Sequence, residues 1–200
     1  MKQQPPFVAN LHGACVPYAV ANALHFVESP ETGENLAERM LSFYPAIADG
    51  YLIGEIDGMM KIVDPDGELL ANILHYNTTI NINKKQFFRL AQLWELSERI
   101  KEMDKATEYF VTFILFIYVD GVAHAVSLYI SLDNFTAVLM DSKGNGKVQV
   151  LELEQLFSLF DVYGVVQVGV EMEAIHPETK EKEFIRIPYI IERQTIKLWK

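Results

Sequence analysis

The chain has a single cysteine, Cys15, among its 200 residues. One cysteine excludes an intrachain disulfide framework and any zinc site built from several cysteines. So little cysteine also fits a reducing compartment, and we therefore expect a cytoplasmic protein. Any thiol chemistry of this protein must run through Cys15.

Basic residues are fewer than acidic ones, with 17 Lys and Arg against 27 Asp and Glu and a net charge of −10. No run of basic residues forms a track for phosphates, which argues against nucleic acid as a partner. The longest apolar run, residues 109–119, is too short to cross a bilayer as a helix. The first residues lack the apolar stretch of a secretory signal. We therefore expect no transmembrane segment.

Hydrophobic residues make up 50% of the chain, which is enough for one full core, and we expect a single domain spanning residues 1–200. Apolar residues on nearly every face of residues 16–27 predict a buried helix. Further helices are predicted at 35–48, with Asn35 as the cap, at 84–105 and at 152–160. Residues 49–83 read as mixed short elements with turns at 57–58 and 64–67.

The second half of the chain has the composition of a sheet. Strands are predicted at 108–120, 122–131, 135–141 and 147–151, followed by a hairpin of 163–174 and 184–192. Helices that precede an antiparallel sheet indicate an α+β domain.

Cys15 has the sequence setting of a reactive thiol. Gly13 lies in the loop before it, and the apolar helix is predicted to start at Cys15. Free N–H groups and the positive dipole end of a helix favour the thiolate, which is the reactive form. We expect Cys15 to be partly exposed at that helix start. The alternative is a small buried hydrophobic residue.

His124 and Asp141 lie on two predicted strands joined by a short turn. If the turn is at residues 133–134, His124 is diagonal to Asp141 and both side chains point to one face of the sheet. An aspartate paired with a histidine fixes the imidazole tautomer and stabilises its protonated form. The alternative is a core histidine beside a turn aspartate.

The order Cys15, His124, Asp141 resembles that of the papain-like cysteine peptidase superfamily. The nearest likeness is to bacterial effector proteases of the YopT and AvrPphB type. The segments that carry it are His124-Ala125-Val126 and Leu139-Met140-Asp141-Ser142-Lys143-Gly144-Asn145-Gly146, and the similarity covers the Cys15 helix and residues 121–151.

The resemblance implies a papain-like fold, in which N-terminal helices, including a buried nucleophile helix, pack on a C-terminal antiparallel sheet. It implies a thiol hydrolase, a peptidase or isopeptidase, that acts on a protein or peptide with Cys15, His124 and Asp141 as catalytic triad. No cofactor and no metal are expected. An effector of this type would be delivered into a host cytoplasm.

The chain departs from the family pattern in front of the cysteine. Papain-like enzymes place an oxyanion-binding glutamine there, and here the nearest amide is Asn10, which is predicted to be the oxyanion donor. A loop or capping role for Asn10 is the alternative.

The stretch between residues 29 and 107 matches nothing in the family, and residues 49–105 within it are interpreted as a variable insertion. Their acidic residues would favour a substrate that carries basic residues. The alternative is that these acids are ordinary solvated turn residues.

Two other functions fit the same residues. A Cys-His-Asp triad also serves acyl transferases of the transglutaminase or deamidase kind, which differ from hydrolases in the acceptor alone. A non-catalytic effector binding domain is the other alternative, and the missing glutamine favours it.

Overall fold

The computed structural model describes residues 15–24, 33–44, 54–65, 67–103, 107–142 and 147–192. The helices in these ranges are α1 (Cys15–Leu24), α2 (Gly33–Phe43), α3 (Gly54–Val63), α4 (Lys84–Leu90), α5 (Leu93–Lys101) and α6 (Leu153–Leu159). The strands are β1 (Leu69–Ile80), β2 (Tyr109–Val119), β3 (Val122–Ser131), β4 (Ala137–Asp141), β5 (Lys147–Leu151), β6 (Asp161–Ile175), β7 (Lys182–Pro188) and β8 (Ile190–Glu192).

The strands form one antiparallel sheet in the order β1-β6-β2-β3-β4-β5. Strand β7 pairs with β6 and β8 pairs with β2, so the predicted final hairpin is present but its second strand is divided in two. The α+β class predicted from the sequence is confirmed.

Helices cover both faces of the sheet. Side chains alternate along each strand, so Ile114 of β2 packs with α1, α2 and α3, whereas its neighbour Phe113 packs with α4, α5 and α6. The two apolar cores that result are separated by the sheet. The chain therefore has a helical layer on each side of the sheet, and the nucleophile helix predicted from the sequence belongs to the first layer.

The stretch 49–105 contributes to both cores, through α3 and β1 on one side and α4 and α5 on the other. The 12-residue strand β1 was not predicted, because its polar residues interrupt the alternation that marks a strand. It pairs with β6 along most of its length. That this stretch is a variable insertion stays a prediction.

The predicted helix 84–105 is wrong, because the structure has two helices there. Gln92 adopts a left-handed backbone conformation with φ of 53°, which interrupts the helix between α4 and α5. An Asn83–Gln86 capping box fixes the start of α4. Trp94, which follows this break, is exposed.

Two smaller predictions are also wrong. Asn35 lies inside α2, which begins at Gly33, and so does not cap it. The predicted turn at Asp57-Gly58 lies within α3, where the Asp57 carboxylate accepts a hydrogen bond from the Ala71 N–H. This acid therefore anchors β1. Asp49 and Asp66, two of the other acids in this stretch, lie outside the described residues.

Candidate active site

Helix α1 is buried on every side, as its sequence predicts. It packs against β3, α2 and α3 in the first core. The Tyr129 hydroxyl from β3 lies 2.7 Å from the Asn22 carbonyl oxygen and 3.0 Å from that of Ala23, and donates to this pair. These hydrogen bonds tie α1 to the sheet.

Cys15 is the first described residue of α1 and is buried, with 7% of its surface exposed. The expectation of a partly exposed thiol is therefore wrong. The cause is packing: Cys15 belongs to the apolar cluster that α1 forms with the sheet. The structure nevertheless does not leave the sulfur in purely apolar surroundings, because the imidazole of His124 contacts it.

The β3–β4 hairpin brings His124 and Asp141 together. Leu128 pairs with Leu139 and Ser127 with Met140, and continuing this register puts His124 diagonal to Asp141. This is the register predicted from a turn at residues 133–134. His124 Nε2 lies 2.7 Å from Asp141 Oδ1.

The surroundings of His124 favour its protonated form. Burial alone would lower the pKa of the imidazole, but the hydrogen bonds to Asp141 and Cys15 and the electrostatic interactions with both side chains outweigh it. Together they raise the pKa of His124 from 6.5 to about 9. The ring is therefore an imidazolium at neutral pH, placed between a carboxylate and a sulfur.

The structure thus brings together Cys15, His124 and Asp141, three of the four predicted site residues. The fourth, Asn10, lies outside the described residues, as does the predicted turn at residues 143–146. The amide of Asn22 on α1 is engaged elsewhere, because its Nδ2 donates to the Tyr18 carbonyl at 2.7 Å.

An aromatic cluster that lies beside Cys15 was not predicted from the sequence. Phe116, Tyr118, Tyr76 and Tyr163 come from three different strands, and their rings lie in contact. Burial, then Tyr118, Tyr76 and Cys15 nearby, raise the pKa of Tyr163 well above its ordinary value, so its hydroxyl stays protonated. A bulge between β2 and β6 places Tyr163 there, and a bulge leaves no clear sequence signal.

Other side chains of chemical interest are placed away from this site. The His75 imidazole contacts Thr78 on its own strand. His176 Nδ1 accepts hydrogen bonds from backbone N–H groups in the β6–β7 turn. Within the described ranges, no three His, Cys, Asp or Glu side chains are grouped as metal ligands would be. No helix in the described part of the chain has the length and apolar character needed to cross a membrane.

Comparisons of the chain with protein-family models, with curated proteins and with solved structures found no match. The geometry of the site is therefore the basis for the function proposed below.

Proposed function

We propose that this protein is a papain-like thiol hydrolase, a peptidase or isopeptidase that acts on a protein or peptide. The observation that carries the proposal is the position of the His124 imidazole, which contacts both the Cys15 side chain and the Asp141 carboxylate. Here one ring joins a nucleophile to an acid, which is the arrangement that a thiol hydrolase requires.

Cys15 is the nucleophile in this proposal. The imidazolium beside it stabilises negative charge on sulfur, and the thiolate is the form that attacks a carbonyl. Attack forms a bond from sulfur to the carbonyl carbon and gives a tetrahedral oxyanion. Collapse of that oxyanion breaks the scissile bond and leaves a thioester on Cys15.

His124 moves the proton in both halves of the reaction. As the first intermediate collapses, the imidazolium gives its proton to the leaving amine. The neutral ring then takes a proton from water, whose oxygen attacks the thioester. Loss of the carboxylic acid product restores the Cys15–His124 pair.

Asp141 orients His124. Its Oδ1 holds Nε2, so Nδ1 is the ring nitrogen left for the sulfur and for the leaving group. The carboxylate also stabilises the imidazolium without taking the proton itself.

Active-site probes test this proposal. Peptidyl and ubiquitin-type electrophilic probes are incubated with the protein at neutral pH, and the intact mass is measured. We expect one adduct on Cys15 in the wild type and in His176→Ala, which changes a histidine outside the site, and none in His124→Ala. No adduct in the wild type, or equal adducts in all three proteins, would favour the binding-domain alternative.

Hydrolysis and acyl transfer differ in the molecule that accepts the acyl group from Cys15, which is water in the first and an amine in the second. A peptide substrate that the probes identify is turned over in water and in water with an added primary amine. Hydrolysis predicts the carboxylic acid as the main product in both conditions. Amide formation as the main product would show that the same triad serves an acyl transferase.

A further inference from the structure

Three tyrosines form a continuous surface over one buried phenylalanine, and we call Tyr76, Tyr118 and Tyr163 the tyrosine wall. The ring centroids of Tyr118 and Tyr163 are 4.5 Å apart, and those of Tyr76 and Tyr163 are 6.5 Å apart. Phe116 lies beneath them, 5.9 Å from Tyr76 and 5.8 Å from Tyr163. Phe116 is buried, whereas the tyrosines are half-buried or exposed.

The tyrosine wall lies beside the candidate nucleophile. Phe116 and Cys15 belong to the same buried cluster, and Tyr163 packs against that cluster. Tyr163 is also close enough to Cys15 for the two groups to interact electrostatically, whereas His124 is opposite Ile117, which points to the other face of the sheet. A substrate held at Cys15 would therefore have side chains within reach of these rings.

Acidic residues lie along the Tyr118 side of the tyrosine wall. Asp161 is exposed and pairs with Tyr118 across the sheet, so the two side chains are neighbours on one face. Asp120 follows two residues after Tyr118 and is also exposed. The sequences of β1, β2 and β6, which carry the tyrosines, contain neither lysine nor arginine.

We infer that the tyrosine wall binds the cationic side chain, arginine or lysine, of a substrate residue next to the bond that Cys15 attacks. The inference rests on the proposed function and specifies its substrate. Faces of tyrosine rings attract a cation through their quadrupole, and the nearby Asp161 supplies a full opposite charge.

The backbone beneath the wall is adapted to this packing. Gly164 lies opposite Phe116, and a Cβ at that position would come within 3.0 Å of the Phe116 Cβ and Cδ2 atoms. A glycine therefore lets the Phe116 ring pack closely against β6, where it meets Tyr76 and Tyr163 at interplanar angles of 77° and 60°. This close packing fixes the tyrosines as a ready-made surface, which reduces the ordering cost of binding.

The test measures binding without catalysis. Cys15→Ala protein is titrated with Nα-acetyl-arginine methylamide and with the matching citrulline compound, a neutral isostere, and binding is followed by NMR. We expect the arginine compound to bind about ten-fold more tightly. Tyr118→Leu in the same background should remove most of that preference, whereas Tyr118→Phe should keep it.

Trp94→Leu serves as the control, because Trp94 is an exposed ring that packs with Phe88 and Phe135 in the other layer. It should leave the preference unchanged. Equal binding of the arginine and citrulline compounds, or tighter binding of a norleucine compound, would overturn the inference in favour of an apolar subsite.

The ligand titrations and the labelling of Cys15 can give different answers, so the cation site and the hydrolase proposal are tested separately. If arginine is preferred but the electrophilic probes fail to label Cys15, the cation site stands and the hydrolase proposal fails. If Cys15 is labelled but arginine and citrulline bind equally, the hydrolase proposal stands and the cation site fails.

Discussion

The His124 imidazole lies 2.7 Å from the Asp141 carboxylate through Nε2 and also contacts the side chain of Cys15. Of these two partners, Asp141 has the larger influence on the pKa of the ring. The hydrogen bond and the charge of Asp141 each exceed the matching contribution of Cys15. Removing either partner should therefore lower the pKa of His124, and by different amounts.

We predict that Asp141→Asn lowers the pKa of His124 more than Cys15→Ala does. Both variants leave the imidazole buried, and burial favours the neutral ring once a negative partner is lost. NMR titration of the histidine ring signals measures this, with His124→Gln used to assign the signal. The wild-type value should be about 9. An unchanged value in Asp141→Asn would show that the carboxylate does not control the ring.

The stability of the fold should depend on pH through His124. Its pKa is 6.5 in the unfolded chain and about 9 in the folded one, so folding binds the proton. The stabilisation is complete below pH 6.5, falls as the pH rises between 6.5 and 9, and is lost above that range. A rise of this size in pKa corresponds to about 3 kcal/mol of unfolding free energy.

We therefore predict that the wild type loses about 3 kcal/mol relative to His124→Gln between pH 6 and pH 10. Urea unfolding of both proteins across this range measures the difference. The glutamine variant removes the titrating group while keeping a polar side chain. A stability difference that is constant with pH would contradict the assignment of an imidazolium at this position.

Asp141→Asn should lower catalytic turnover less than His124→Ala. In the proposed mechanism Asp141 orients and stabilises the ring, whereas His124 transfers the proton, and in such triads the removal of the acid leaves more residual activity. The rates of both variants on one peptide substrate measure this. Activity in Asp141→Asn equal to wild type would move the orienting role to another carboxylate, and Asp120, which lies just before β3, would be the next candidate.

Tyr129→Phe should destabilise the protein by about 1–3 kcal/mol, because it leaves two buried carbonyls at the end of α1 without their donor. Since α1 carries Cys15, labelling of Cys15 by small thiol reagents should change as well. Thermal or urea unfolding measures the first effect. A variant as stable as wild type would show that Tyr129 does not anchor the helix that carries Cys15.

The part of the site that follows from strand alternation was predictable from the sequence. The strand at Val122–Ser131 has the predicted bounds, and the turn at residues 133–134 gives the predicted register with β4. That register alone puts His124 diagonal to Asp141, because side chains repeat every second residue along a strand.

Features that depend on local backbone geometry or on tertiary packing were not predictable. The left-handed Gln92 that separates α4 from α5 involves neither glycine nor proline, so apolar periodicity continues across the break. The bulge that presents Tyr163 depends on how β6 fits β2. The burial of Cys15 depends on how α1 packs against the sheet, which its own sequence does not specify.

The most direct test of the central claim is the rate at which Cys15 is alkylated by iodoacetamide as a function of pH. Free thiols lose reactivity about ten-fold for each pH unit below a pKa of about 8.5, because only the thiolate reacts. A sulfur paired with the His124 imidazolium should keep its reactivity well below that pH. We predict that wild-type Cys15 still reacts at pH 6.5 at least ten-fold faster than Cys15 in His124→Ala, and that His176→Ala matches the wild type. Identical pH profiles in wild type and His124→Ala, both falling ten-fold per pH unit, would contradict a thiolate–imidazolium pair at this site.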